Sequence, residues 1–321
     1  MTALNYTPLR DYQHRSDNKY KIMLAVIGIL IGVVSLLIYS EVKNIGNAGG
    51  VAEPQKVSAD IPPTLTPTPK PTLDDVVAEV LSDAKGEYGI AIKNLKTGEE
   101  YYHGENQKYW SASLYKLWVM GAVYEAIENG KMTEETYMKR EVTELNEKFK
   151  IATDDAEMKE GVIEMKVGTA LEKMITVSDN YSALLLTDKV GTRAVRLFLE
   201  GHGLMESDVT KIFPTTTAGD IALYFEKLYK GELGNAESTE KMMVLLKNQE
   251  INDILPKYFP EGTAIAHKTG QFPPYAHDAG IVYMSSGDYI IVLLAKHNDI
   301  EYSKDVMARI SEGVYNHFYI Q

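Results

Sequence analysis

The chain has 321 residues, with 33 Lys and Arg against 45 Asp and Glu, a net charge of -12. That balance excludes a nucleic-acid binder, which needs a basic face, and the absence of cysteine removes disulfides, thiolate metal sites and a thiol nucleophile. Hydrophobic content of 45% is that of a globular protein with a sizeable core.

Taken in order, residues 1–21 are polar and carry Arg10, Arg15, Lys19 and Lys21 ahead of an uncharged run from Ile22 to Tyr39. The run suits a membrane-spanning helix, and the positive charge before it places 1–21 in the cytoplasm as a tail and the rest outside the cell. A cleavable signal peptide is the competing reading. The run is followed by Tyr39-Ser40-Glu41-Val42 rather than a small-x-small site, which favours an uncleaved anchor over 22–39. Residues 40–72 hold Gly49-Gly50 and Pro54, Pro62, Pro63, Pro67, Pro69 and Pro71, a semi-rigid spacer. The folded domain is expected over 73–321.

That domain opens with a helix over 73–84, then strands over 88–94 and 99–103 joined at Lys96-Thr97-Gly98. A buried helix follows, carrying Ser111-Ala112-Ser113-Leu114-Tyr115-Lys116 at its start and stopping at Asn129-Gly130. Residues 131–166, including Asp154, Asp155 and Glu157, mix charges without clean periodicity and read as a solvated surface excursion. An apolar helix ending near Ile175 leads through Val177-Ser178-Asp179-Asn180 into another over 181–190. A strand over 262–266 precedes His267-Lys268-Thr269-Gly270. Strands over 279–284 and 289–296 form a hairpin across Ser286-Gly287-Asp288, and a helix over 303–318 closes the chain. Strands at both ends with helices between predict an α+β, three-layer αβα fold: one antiparallel sheet built from both ends of the domain, with an inserted helical lobe.

Three short motifs carry the chemistry. A serine at a helix start lies near unpaired N–H groups and the positive end of the helix dipole, and three residues on Lys116 reaches the same face as Ser113. Alone, Ser-x-x-Lys also fits an N-cap beside a solvated lysine, Ser-Asp-Asn fits a cap and turn, and Lys-Thr-Gly is common. Together, in this order and spacing, Ser113-x-x-Lys116, Ser178-Asp179-Asn180 and Lys268-Thr269-Gly270 resemble the set that marks class A β-lactamases and penicillin-binding proteins. The resemblance extends through Ala183–Leu186 and Thr215-Thr216-Thr217-Ala218-Gly219-Asp220 and covers about 75–321.

The resemblance implies Ser113 as the acylated nucleophile and Lys116 as its proton acceptor, made partly neutral by burial beside the Lys268 cation. It implies that Ser178 passes a proton to the leaving nitrogen and that Asn180 holds Lys116 and the substrate's amide side chain. Lys268 and Thr269 would receive the substrate carboxylate, Gly270 would let the substrate lie against the strand edge, and the N–H groups of Ser113 and Gln271 would form the oxyanion hole. No cofactor or metal is implied, and none of the seven histidines sits in His-Glu-x-x-His. A monomeric catalytic domain is expected.

Two departures stand out. The loop 203–214 lacks the family's Glu-x-x-x-Asn, whose glutamate activates the deacylating water. Glu206, the one glutamate there, reads as a surface residue with a lesser reading as a displaced base. No arginine lies between Gln271 and Leu294 to supply a second cation for the carboxylate, which leaves His277 as a weak substitute. His267 should face away from Lys268 on its strand. The chain therefore reads as a membrane-anchored β-lactamase-type hydrolase with slow deacylation, with two alternatives: a carboxypeptidase or transpeptidase acting on D-alanyl-D-alanine peptides, or a non-turnover β-lactam receptor.

Overall fold

A computed structural model describes residues 70–319. The segments read as cytoplasmic tail, membrane anchor and all but the end of the linker lie outside the described residues, and among those described no helix is long and apolar enough to cross a membrane. The first helix, α1 (Leu73–Leu81), starts at a capping box: Thr72 accepts from the Asp75 amide while the Asp75 carboxylate accepts from the Thr72 amide.

A five-stranded sheet forms the middle layer. Its strands are β1 (Glu87–Asn94), β2 (Glu100–His103), β7 (Ile265–Phe272), β8 (Tyr275–Val282) and β9 (Tyr289–Lys296), in the order β2-β1-β9-β8-β7 and antiparallel throughout. The first and last parts of the domain meet where β1 pairs β9, Glu87 opposite Lys296 through Asn94 opposite Tyr289. Because side chains alternate along a strand, the sheet has two buried faces. Ile90, Ile92, Ile291, Leu293 and Ala295 pack against α1 and the closing helix α9 (Ile300–Tyr319), through Val77, Val306, Ile310 and Val314. Ala91, Ala266, Ala279, Ile290, Val292 and Leu294 face the helical lobe. These are the three layers expected, with the lobe inserted between β2 and β7.

The lobe is organised around α2 (Tyr115–Glu128), which buries Lys116 through Tyr124 without a break and so is apolar all round, as a central helix must be. It is flanked by α4 (Val167–Thr176), α5 (Asn180–Val190), α6 (Thr192–Gly201), α7 (Ala218–Tyr229) and α8 (Ala236–Lys247). α6 approaches α2 so closely that a Cβ on Gly121 would stand 2.2 Å from Phe198 Cζ.

Three sequence expectations change. Residues 131–166 are not a purely solvated excursion: β4 (Tyr137–Glu141) pairs β5 (Val162–Lys166), α3 (Val142–Lys148) lies between, and Met138, Val142, Leu145 and Ile163 are buried. Each of these strands buries only one residue, too few to write a period into the sequence. The strand foreseen over 262–266 begins at Ile265 and runs on through His267-Lys268-Thr269-Gly270, because pairing with β8 outweighs the polar composition of that stretch. β8 itself begins at Tyr275, four residues before the expected start.

Candidate active site

The Ser113 segment lies between the sheet and the lobe. β3 (Tyr109–Trp110) pairs β6 (Thr215–Thr216), the Ser111 amide donates to the Pro214 carbonyl at 2.7 Å, and a 3-10 turn over Ala112–Leu114 leads into α2. Ala112 has φ 43°, a strained conformation for an alanine, immediately before Ser113. Neither Ser111 nor Ser113 caps the helix with its side chain, so the N-cap alternative does not apply. Lys116 is fully buried, which disposes of a solvated lysine.

Lys116 Nζ donates to the Ser178 carbonyl, to Ser178 Oγ at 3.1 Å and to Asn180 Oδ1 at 2.8 Å. Lys268 Nζ donates to the same Ser178 Oγ at 3.0 Å and to the Thr269 carbonyl at 2.9 Å. Two buried lysines therefore meet on one serine hydroxyl. Ser178 is turned toward them by a φ of 59°, and the capping role in this motif falls to Asp179, which accepts from the Ser182 amide and leaves Asn180 as the first residue of α5. Burial pushes Lys116 down to about 7, while Asp179 and Glu157 work the other way. Lys268 is held well below the ordinary lysine range, chiefly by burial and then by repulsion from Lys116, with Asp278 opposing. Burial is thus the main cause for both, and the repulsion of the pair falls on Lys268.

β7 is the edge strand on which Lys268, Thr269, Gly270 and Gln271 follow one another. A Cβ on Gly270 would lie 3.1 Å from the Ser111 carbonyl oxygen, 3.2 Å from the Ser113 amide nitrogen and 3.3 Å from Leu114 Cγ. The close approach that requires glycine is therefore made by the segment carrying Ser113. Beyond Gln271, Phe272 joins an aromatic group in which Trp110 stacks on Phe213 at 4.3 Å and lies 5.1 Å from Tyr275.

Glu206 is half-exposed and pairs with Lys108 at 3.1 Å, while its amide donates to Asp220; it is a surface residue, as its sequence context suggested. His277 stands opposite Gly270 in the β7/β8 ladder. It is fully buried, donates from Nε2 to the Trp110 carbonyl at 2.7 Å, accepts from the Ala295 amide at Nδ1, and is pushed down to about 4 by burial. A neutral imidazole with both nitrogens engaged cannot be the substitute cation. His267 does face the other way, between Asp278 at 2.8 Å and Asn252 at 3.0 Å.

One residue read as simple surface belongs beside the site. Glu157 Oε1 accepts a hydrogen bond from Asn180 Nδ2. Its place is fixed by its neighbour: the Tyr181 hydroxyl donates to the Met158 carbonyl at 2.7 Å and accepts from the Met158 amide at 3.1 Å. A lone acid 23 residues upstream of Asn180 carries no local signal of this.

The family model described as "Beta-lactamase enzyme family" matches residues 72–318. Among solved structures, a β-lactamase from Sphaerobacter thermophilus is 21% identical with a TM-score of 0.67, the match covering 78% of this chain and 97% of that one. PBP-A is 22% identical with a TM-score of 0.69 over 78% of this chain and 96% of its own. A mutant of PBP-A, solved as an acyl-enzyme complex with penicillin G, has a TM-score of 0.68 at 22% identity over the same shares. These likenesses establish the fold. No curated protein matches the chain significantly.

Proposed function

The chain belongs to the beta-lactamase enzyme family, and from that premise we propose that it is a serine hydrolase that opens β-lactams through an ester on Ser113 and clears that ester slowly. The observation that carries the reading is the pair of buried, pKa-lowered lysines on Ser178 Oγ, beside a strand packed against the Ser113 backbone.

In the acylation step, neutral Lys116 takes the Ser113 Oγ proton as Oγ bonds to the lactam carbonyl carbon. The Ser113 and Gln271 amides take the oxyanion, a contribution of roughly 3 kcal/mol per donor. As the C–N bond breaks, the leaving nitrogen gains its proton from Ser178, which is refilled from the lysine pair. Lys268 and Thr269 hold the substrate carboxylate and Asn180 the acyl side-chain amide. No second cation supports the carboxylate, since His277 is neutral and turned to the backbone.

Slow deacylation is supported by loop 203–214, whose glutamate is paired with Lys108 rather than poised as a base. The same observation favours a second reading, acyl transfer on D-alanyl-D-alanine peptides, where an amine or water supplied with the substrate resolves the ester. In both, the uncharged run over 22–39 would anchor the enzyme and place its domain outside the membrane.

The test is intact mass of the purified chain after mixing with a penicillin. The reading expects a persistent adduct on the wild type and none on Ser113→Ala. An adduct that survives Ser113→Ala refutes the nucleophile, and rapid clearance with accumulating opened antibiotic refutes slow deacylation.

A further inference from the structure

We propose that Glu157 is a positioning residue that locks the Asn180 side-chain amide in one orientation, so that Lys116 keeps its lone pair free for the Ser113 proton. The inference rests on the acyl-enzyme reading above and extends it to a residue outside the three motifs.

Asn180 Oδ1 accepts from Lys116 Nζ at 2.8 Å while Asn180 Nδ2 donates to Glu157 Oε1, so the amide bridges the ammonium and a carboxylate. While Lys116 is charged, its own N–H groups hold Oδ1 toward it, because an ammonium only donates. The reactive form is the neutral amine, and there the constraint disappears. A neutral amine accepts as well as donates, so a flipped amide would aim Nδ2–H at the lone pair that must receive the serine proton. The carboxylate removes that option, since it only accepts and so holds Nδ2 on its own side. A hydrogen bond to an ionised acceptor is the stronger kind, which suits it to holding the orientation.

The placement is built. Tyr181, next to Asn180, clamps both backbone groups of Met158, next to Glu157, and Asn146 Nδ2 donates to the same Met158 carbonyl at 2.8 Å. Two adjacent residues on α5 thus grip two adjacent residues of the 149–161 segment. No cation among the described residues forms an ion pair with Glu157, which leaves its charge directed at this site.

The charged groups around Lys116 are Asp179 from the start of α5, Glu157 from the 149–161 segment and Lys268 from β7. Glu157 therefore acts twice, through the hydrogen bond and through its charge, and the plateau and the acid limb of a pH profile report these separately. Glu157→Gln loses the charge and, because an amide donates as well as accepts, no longer excludes the flipped Asn180; Glu157→Ala loses the hydrogen bond altogether.

The experiment uses the full chain with a fluorescent penicillin and resolves the acylation rate constant from the dissociation constant, from pH 5 to 9. For Glu157→Ala the expectation is a fall of roughly tenfold in the rate constant at high pH, where Lys116 is neutral. Glu157→Gln stays slow on the same plateau, because its amide tolerates both orientations of Asn180, and in both variants the acid limb of the profile moves to lower pH, because removing a neighbouring anion makes Lys116 easier to deprotonate. A Glu157→Ala rate constant equal to wild type, or a loss confined to the dissociation constant, overturns the inference while leaving the acyl-enzyme reading intact. So does a Glu157→Gln variant with the wild-type plateau and an unmoved limb. Failure of the wild-type chain to be labelled removes the acyl-enzyme reading and this inference with it.

Discussion

Replacing Gly270 with alanine probes the fit between strand and nucleophile. The added methyl would lie 3.1 Å from the Ser111 oxygen, 3.2 Å from the Ser113 nitrogen and 3.3 Å from Leu114 Cγ, all inside ordinary carbon contact distance, so a few tenths of an ångström must be given up. β7 cannot yield easily, since it is paired with β8 over its whole length from Ile265 opposite Val282 to Phe272 opposite Tyr275. The Ser113 segment yields instead, and with it the amide assigned to the oxyanion. A displacement near 1 Å costs about a hundredfold in rate, so a shift of a few tenths should cost several-fold to about tenfold. The overpacking should cost about 1 kcal/mol of stability. The assay pairs the second-order acylation rate with a fluorescent penicillin and the thermal midpoint. Gly201→Ala, where nothing lies within 4 Å, serves as the control and should leave the rate unchanged. Wild-type acylation by Gly270→Ala would refute the claim that strand and nucleophile are in working contact.

Acylation should rise with pH through about 7, the value to which burial lowers Lys116, with about a tenfold loss per unit below it; a rate independent of pH from 5 to 9 would count against Lys116 as the base. His277, lowered by burial to about 4 in the fold against 6.5 when unfolded, binds fewer protons folded than unfolded between those values. Its contribution is therefore complete above 6.5 and lost as pH falls toward 4, by roughly 3 kcal/mol in all. Denaturant melts should show that slope flattened in His277→Gln. Gly121→Ala would drive a Cβ to 2.2 Å from the Phe198 ring and should cost about 1–3 kcal/mol, read as a lower denaturant midpoint. Asp278→Ala leaves the buried His267 ring and the Leu255 amide without their acceptor and should cost about 2 kcal/mol or more, measured the same way.

The sequence by itself determined what local periodicity and short spacing can carry. Period-2 alternation about a Gly-bearing turn gave β1 and β2, and the Ser286-Gly287-Asp288 turn marked the start of β9; Asn129-Gly130 marked the end of α2; and alternation along β7 sent His267 and Lys268 to opposite faces. The three motifs, through their joint resemblance to the β-lactamase and penicillin-binding set, marked Ser113, Lys116, Ser178, Asn180 and Lys268, of which Lys116, Ser178, Asn180 and Lys268 meet in hydrogen bonds in the fold.

Only the tertiary structure decided what depends on chain segments far apart in sequence. Whether Lys116 and Lys268 share one hydroxyl depends on α2, α5 and β7 converging. That Gly270 serves the Ser113 backbone, and that His277 is a buried neutral donor to Trp110, follows from sheet register and the desolvation it imposes. Glu157 comes to Asn180 through a clamp between Tyr181 and Met158. Such contacts draw their energy from burial and hydrogen bonds between distant residues, and no local pattern has to record them.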